Sequence, residues 1–277
     1  MIKFNHHGMN PRDMAGISND ELRDRFLASS LFVAGEVTLH YSFGERLMIG
    51  GAAVADAPIH LPKQSEPPSA AGRPFLDRRE IGIINIGLPG TVTADGTVYD
   101  LATHECLYVG KGTGDVIFGG AGARYYLVSA PAHQIYPTKK ITLSDGNILE
   151  RGEVATANRR SIHQLIVPEV CESAQLALGV TFLDTGSIWN TMPPHRHARR
   201  SEIYMYFGMT AEDRVFHFMG EPDNLRPIVV GNEEAVISPP WSVHFGVGTR
   251  AYGFVWAMAG DNVDYDDMDH LTIGDLK

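Results

Sequence analysis

Two histidines separated by a single residue, His195 and His197, are the side chains of this sequence best suited to chemistry. Alternate residues of a strand point to the same face, so both imidazoles can bind one ion. Glu202 follows across a short polar turn, and His244 follows the proline-rich stretch 238–241. Three imidazoles and one carboxylate predict a site for Zn, Fe, Mn, Co or Ni.

The charge of the chain restricts the partners that we expect for it. The 277 residues carry a formal net charge of -10, which argues against a nucleic-acid partner. An anionic small molecule would need a local cluster of cations. The adjacent pairs available for this are Lys139 and Lys140, Arg159 and Arg160, and Arg199 and Arg200.

The cellular location is predicted from features that the sequence lacks. No apolar run approaches the roughly 18 to 20 residues of a membrane helix, and no basic start with an apolar block opens the chain. Cys106 and Cys171 are too few for a disulfide framework. We therefore expect a cytoplasmic protein without a membrane partner.

Short apolar runs at fairly regular spacing predict the fold class. Residues 81–86 and 203–207 are two examples, and most of the sequence consists of such runs separated by turn residues. This pattern indicates an all-β fold of barrels or sandwiches. Near the start, Ser18 and Glu21 have the spacing of a capping box, which predicts one short N-terminal helix.

The two halves of the chain resemble one another, which predicts a duplicated unit. Residues 78–87 and 199–208 both begin with two arginines, continue as an apolar strand and end at a glycine. A polar segment separates the halves, and we place the domain boundary between residues 150 and 151. We expect the metal site in residues 151–277 and none in residues 1–150, where packing, oligomer contact or a pocket wall is the expected role.

The predicted metal ligands also fit the pattern of the cupin superfamily. The second cupin motif places a histidine five residues after a proline, and Pro239 to His244 resembles it. The first motif is a glycine, a His-x-His pair, a glutamate and a second glycine. The residues that resemble this first motif are Gly186, His195, His197, Glu202 and Gly208.

Several longer sequence motifs resemble one family within that superfamily, the 5-keto-4-deoxyuronate isomerases. The similarity runs from about residue 21 to residue 277, nearly the whole chain. These longer motifs are more specific to one enzyme than the two cupin motifs are. They occupy residues 108–112, 130–133, 136–140, 189–193, 236–239 and 266–270.

This resemblance implies a structure and an activity. The implied fold is two cupin-type β-barrels, a bicupin, with a short N-terminal helix, assembled as a homohexamer. The implied enzyme is a zinc-dependent ketol-isomerase of pectin breakdown, which converts 5-dehydro-4-deoxy-D-glucuronate into 3-deoxy-D-glycero-2,5-hexodiulosonate. One zinc ion per subunit would be bound by His195, His197, Glu202 and His244.

The implied reaction needs a polarised carbonyl and a general acid or base, because protons move between neighbouring carbons and between their oxygens. Tyr204 and Tyr206 lie two and four residues after Glu202, on the same side of the predicted strand, so we expect both to face the cavity. Other candidates for the acid or base are His217, Lys111 and Asp261.

The carboxylate of a sugar acid suits a bidentate arginine. Arg196 alternates away from its histidine neighbours and is not expected to contact substrate. The candidates for substrate binding are Arg160, Arg199, Arg200 and Lys111.

Three other functions are compatible with the same residues. A related sugar-acid isomerase, such as 5-deoxy-glucuronate isomerase, would differ only in its substrate. A cupin oxygenase or decarboxylase would use Fe, Mn or Ni, whereas an isomerase should work without oxygen and with a redox-inert metal. A non-catalytic sugar-binding protein would bind the sugar acid without turnover.

Overall fold

The computed structural model describes residues 2–65 and 67–277, with side chains described from residue 5 onward. Among these residues the single α-helix, α1, spans Asn19–Phe26, and the Ser18 hydroxyl accepts a hydrogen bond from the Glu21 amide (3.1 Å). The predicted N-terminal helix is therefore confirmed. None of the described helices combines the length and apolarity that crossing a bilayer requires. Short 3-10 helices cover Pro11–Gly16, Pro68–Ala70, Phe75–Arg78, Leu143–Asp145, Val154–Thr156 and Ile273–Asp275.

Strands account for most of the ordered structure. The first twelve are β1 Ile2–His6, β2 Leu27–Ala28, β3 Val37–Ser42, β4 Met48–Ala53, β5 Ile59–His60, β6 Arg79–Asn85, β7 Gly90–Ala94, β8 Thr97–Leu101, β9 Cys106–Val109, β10 Val116–Gly119, β11 Arg124–Pro131 and β12 Lys139–Ile141. The others are β13 Asn147–Arg151, β14 Arg160–Ile166, β15 Ala177–Leu183, β16 Trp189–Arg196, β17 Arg200–Phe207, β18 Val215–Glu221, β19 Asn224–Val230, β20 Ala235–Ser238, β21 Val243–Gly248, β22 Gly253–Gly260 and β23 Asp269–His270.

These strands form four sheets, which we number I to IV. Sheet I has the order β1-β3-β4-β11-β6-β9-β12, and sheet II the order β5-β10-β7-β8. Sheet III has the order β13-β14-β15-β22-β17-β20-β2, and sheet IV the order β19-β18-β21-β16-β23. The all-β class is confirmed, but the hydrogen-bonded order is that of open sheets and does not close into two barrels.

Three apolar layers hold the four sheets together. Sheets I and II enclose one layer, sheets III and IV enclose another, and sheets I and III pack against each other through the third. On β17, Ile203 belongs to the layer shared by sheets I and III, whereas Tyr204 belongs to the layer enclosed with sheet IV. Burial on both faces explains why this strand has an almost continuous apolar sequence.

The strand order shows that the two sheet pairs repeat one topology, as the sequence predicted. Strands β3, β4, β11, β6 and β9 are neighbours in sheet I in the same order as β14, β15, β22, β17 and β20 in sheet III. When β6 and β17 are matched by the glycines that follow them, Arg79 corresponds to Arg200 and Ile81 to Glu202. We call sheets I and II the N-terminal unit, and sheets III and IV the C-terminal unit.

The predicted boundary at residues 150 and 151 stays a prediction, and two elements connect the units across it. Strand β13 spans that position, and the early strand β2 pairs with β20 in sheet III. A short segment from the beginning of the chain therefore completes the sheet of the later unit.

A buried carboxylate also joins the two units. Glu80 of β6 is fully buried between sheets I and III. A buried carboxyl group is tolerated when hydrogen-bond donors surround it. Its oxygens accept four hydrogen bonds, from the amides of Ala174 (2.7 Å), Gln175 (2.8 Å) and Leu176 (2.9 Å) and from the hydroxyl of Tyr108 (2.6 Å).

Candidate metal centre

The four predicted ligands converge at one point of the C-terminal unit. One ligand atom from each of His195, His197, Glu202 and His244 lies within 4.8 Å of all the others. Strand β16 supplies the first histidine, β17 the glutamate and β21 the last histidine. Because β16 pairs with β21, His195 lies directly opposite His244. The predicted group is therefore present and could hold a metal ion.

The hydrogen-bond partners of the imidazoles fix which nitrogen faces this point. His197 donates from Nδ1 to the carbonyl of Asp267 (2.9 Å), and His244 donates from Nδ1 to the carbonyl of Ser242 (3.3 Å). These partners assign the proton to Nδ1 and leave an Nε2 lone pair on each ring.

Those lone pairs meet the carboxylate of Glu202. Its Oε2 lies 2.6 Å from His244 Nε2 and 2.9 Å from His197 Nε2, and His195 Nε2 lies 3.2 Å from His244 Nε2. Atoms with lone pairs at such distances repel each other unless a proton or a metal ion lies between them. The donor set and its orientation therefore fit a divalent ion.

The electrostatics of the cluster favour the protonation states that a metal requires. Burial raises the pKa of Glu202, but the three surrounding histidines outweigh burial and hold this pKa well below its usual value. Burial lowers the pKa of His195 to about 3. At neutral pH the carboxylate is ionised and this imidazole is neutral, as ligation demands.

A cavity of about 490 Å³ opens above the cluster, and five sequence-predicted residues line it. Tyr204 is held in the cavity wall by a hydrogen bond of 3.0 Å between its hydroxyl and that of Thr191. Thr191 has a φ of 54°, an unfavourable value for a β-branched residue that constrains the position of this hydroxyl. The five are Arg160, His195, His197, Glu202 and Tyr204.

Three other candidates lie near the cluster but not on the cavity wall. Tyr206 lies on the predicted side of β17. It is two residues further along the strand than Tyr204, however, a distance of about 6.6 Å that places it below the cavity wall. There its hydroxyl donates to His217 Nδ1 (2.7 Å), and both side chains are fully buried. Arg200 is likewise fully buried and donates to the Asp267 carbonyl (2.9 Å) behind His197. We therefore assign these three side chains to the support of the site.

The remaining candidates lie elsewhere. Arg199 is exposed and forms an ion pair with the carboxylate of Asp267, because it alternates to the outer side of Arg200. Lys111 lies in the turn after β9 in the N-terminal unit, and Asp261 lines a separate cleft between the units. Arg196 points away from the cluster as expected and pairs with Asp269 (3.7 Å).

The cavity also contains residues that the sequence did not indicate. Arg151, Tyr265 and His270 line it, and the last two come from the C-terminal segment that folds over β16. Trp256 lies opposite Tyr204 in the β17–β22 pairing, over Gly179, where any Cβ would overlap the indole. Strand pairing would have identified Trp256, but the sequence alone does not reveal that pairing.

Two polar groups in the cavity are placed to contact a ligand. Trp256 is buried, and its indole N–H has no hydrogen-bond partner among the described residues. Arg160 is buried and donates from Nη1 to the carbonyl of Asn158 (2.8 Å) and to its side chain. No described carboxylate pairs with Arg160, and desolvation lowers its pKa. A buried and desolvated guanidinium group favours an anionic partner.

Comparison with known proteins gives a consistent result along the chain. Residues 45–273 match the model of the KduI/IolB family. The chain is 47% identical over 271 residues to a protein of Cereibacter sphaeroides (98% of this chain, 97% of the relative) and 48% identical over 269 residues to one of Agrobacterium fabrum (97% of each). A relative from Oceanobacillus iheyensis is 43% identical over 276 residues (98% and 99%). All three are named 4-deoxy-L-threo-5-hexosulose-uronate ketol-isomerase.

Solved structures with low sequence identity share the fold. An IolB-like protein of Salmonella typhimurium is 14% identical and has a TM-score of 0.63, with 98% of this chain and 95% of that chain covered. The Bacillus subtilis oxalate decarboxylase, described with Mn(II) centres, is 11% identical and has a TM-score of 0.55, with 81% and 71% covered.

Proposed function

The chain belongs to the KduI/IolB family, and we propose that it is a 4-deoxy-L-threo-5-hexosulose-uronate ketol-isomerase that uses zinc. The observation that carries the proposal is the His195, His197, Glu202 and His244 cluster at the base of a cavity that also holds a buried arginine with no described carboxylate partner. Identity of 43% to 48% over nearly full length to relatives with that name supports this substrate. We propose likewise that the protein is cytoplasmic, assembles as a hexamer and acts in pectin breakdown.

The two features of the cavity match the two ends of such a substrate. When bound by the cluster, a divalent ion supplies Lewis acidity to a carbonyl group. Arg160 is placed to bind the carboxylate of the sugar acid, because its Nε and Nη2 have no hydrogen-bond partner among the described residues. Trp256 N–H is placed to donate to a hydroxyl or carbonyl oxygen between them.

Tyr204 has the protonation state of a proton donor. Burial raises the pKa of Tyr204, and the nearby Glu202 raises it further, so the phenol is protonated at neutral pH. Burial also raises the pKa of Tyr265 to about 12. Both hydroxyls can therefore donate hydrogen bonds to substrate oxygens, whereas neither is suited to act as the base.

Removal of the metal is expected to abolish isomerisation, and zinc alone should restore it under nitrogen. The reason is that a ketol-isomerase needs Lewis acidity but no redox change. The measurement is elemental analysis combined with an anaerobic assay before and after chelation. 5-Deoxy-glucuronate, assayed in parallel, tests the related isomerase. A requirement for oxygen or for a redox-active metal would contradict the proposal, as would faster turnover of 5-deoxy-glucuronate.

Replacing Arg160 with methionine should raise KM for the sugar acid about 10- to 100-fold, because a charge-assisted hydrogen bond contributes about 1.5–3 kcal/mol. Metal content should not change. The matched control is Arg159→Met, since Arg159 is exposed and forms its ion pair with Asp184 (3.1 Å) away from the cavity. Equal kinetics of the two variants would exclude Arg160 from carboxylate binding.

A further inference from the structure

The N-terminal unit contains a second cavity, which can be compared with the cavity above the candidate ligands of the C-terminal unit, called here the metal cavity. Its volume is about 420 Å³, against about 490 Å³ for the metal cavity. Strands β3, β4 and β6 line it through Leu39, Met48 and Arg79. The corresponding strands β14, β15 and β17 line the metal cavity. Corresponding strands therefore line both cavities, but the lining residues differ in position: Arg79 matches Arg200, which does not line the metal cavity.

The chemistry of this second cavity differs from that of the metal cavity. Ile81 occupies the β6 position that corresponds to Glu202, and its side chain is fully buried in the apolar layer. The described lining residues include no histidine, cysteine, aspartate or glutamate. The usual metal ligands are therefore missing from the described wall of this cavity.

A fixed cation, Arg79, remains in the wall. Its Nε donates to the hydroxyl of Ser129 (3.0 Å), and its Nη2 donates to the carbonyls of Ser129 (2.8 Å) and Arg46 (2.8 Å). Nη1 has no hydrogen-bond partner among the described residues, and no described carboxylate forms an ion pair with this arginine. Desolvation lowers the pKa of Arg79 to about 10, so the group stays charged at neutral pH.

The rest of the wall defines what could lie against that cation. At the exposed rim Lys63 adds a further positive charge, whereas the charge of Arg78 is paired with Asp77 (3.8 Å). The interior is mostly apolar, with Phe75 under the guanidinium of Arg79 (5.9 Å to the ring centre) and with Leu39 and Met48 beside it. The polar side chains in the wall are Asn5, Tyr41, Gln64 and Ser65. The cavity thus combines one anion-binding end with a largely apolar body, which favours a carboxylate that carries an aromatic or aliphatic group.

We propose that this cavity binds a small organic carboxylate with an aromatic or aliphatic body, with its carboxylate on Arg79 and its body against Phe75, Leu39 and Met48. Such a ligand would neutralise an otherwise unpaired arginine and cover apolar surface at the same time. The site is distinct in position and in ligand class from the metal cavity, so it does not depend on the proposed isomerase activity.

Soaking crystals of the full, metal-loaded protein with 4-bromobenzoate tests the position. The expected result is an anomalous bromine peak in the cavity of the N-terminal unit, with the carboxylate within hydrogen-bond distance of Arg79. A bromine peak only in the metal cavity, or in neither cavity, would overturn the proposal.

Calorimetric titration with benzoate tests binding in solution. Affinity should fall about tenfold or more in Arg79→Met and to a smaller extent in Lys63→Glu, because both changes remove positive charge from the cavity. Lys63 is exposed, so its variant keeps the test valid if Arg79→Met fails to fold. Arg73→Gln, which changes an exposed arginine paired with Asp77 (3.2 Å), is the control and should bind as the unaltered protein does.

Two comparisons distinguish carboxylate binding at this cavity from binding at the metal and from binding by apolar contact alone. Chelation of the metal should leave benzoate affinity unchanged, and neutral benzamide should bind at least about tenfold more weakly because it cannot pair with the cation. Loss of binding on chelation, equal affinity for benzamide, or binding at crystal concentration only would each refute the proposal. So would equal affinity of the unaltered protein and both charge variants.

Discussion

Replacing His244 with alanine is expected to abolish metal binding and to lower kcat/KM at least about a thousandfold, since a Lewis acid contributes several kcal/mol to such a reaction. His244 Nε2 makes the shortest contact to the Glu202 carboxylate (2.6 Å) and is held by the Ser242 carbonyl. Without this ring, the three remaining ligands leave one side of the ion without a protein donor. Elemental analysis of the purified variant and an isomerase assay with added zinc measure the two effects.

The same substitution should leave the fold largely intact. The His244 ring contacts the other ligands and Tyr204 above the apolar layer between sheets III and IV, so that layer itself is unchanged. Far-ultraviolet circular dichroism should therefore match that of the unaltered protein. His60→Ala is the control, because His60 is an exposed histidine of the N-terminal unit. Full metal occupancy in the His244 variant would refute its assignment as a ligand.

Replacing Glu80 with glutamine is expected to lower the free energy of unfolding by at least about 2 kcal/mol, because a buried donor left without an acceptor costs about 1–3 kcal/mol. The substitution keeps the size of the side chain but turns an NH₂ group toward donors that need an acceptor. Three backbone amides, at residues 174–176, and the Tyr108 hydroxyl would then share a single carbonyl oxygen. Urea denaturation of the metal-loaded protein measures this loss.

The matched control for that experiment is Glu169→Gln, which changes an exposed glutamate near the same joint between the units. Surface substitutions of this kind usually change stability by less than about 0.5 kcal/mol. A loss in the Glu80 variant no larger than in the control would show that the carboxylate does not contribute to joining the units.

The cluster of candidate ligands could be predicted from the sequence because its residues follow local strand periodicity and motif spacing. Strand periodicity places His195 and His197 on one face, and the same periodicity correctly turns Arg196 away. Strand periodicity predicts the side of the strand on which a residue lies but not how far below the cavity it lies. Tyr204 therefore lines the cavity while Tyr206, on the same side, lies beneath it.

The remaining wall of the cavity could not be predicted, because strand pairing and chain crossing create it. Trp256 reaches the cavity only because β22 pairs with β17, and Tyr265 and His270 only because the last segment folds back over β16. The open order of the sheets and the contribution of β2 to sheet III are also long-range features. No periodicity in a single stretch encodes them.

The apolar layer between sheets I and III has a thermodynamic consequence. Ile84 and Val128 supply one side of this layer, and Leu178 and Ile203 supply the other, so neither unit has a complete interior of its own. A unit expressed alone would present that face to water, at a cost of about 25 cal/mol for each Å² of apolar surface. The two copies are therefore coupled in free energy, and the stability of the copy with the candidate metal site is a property of the whole chain.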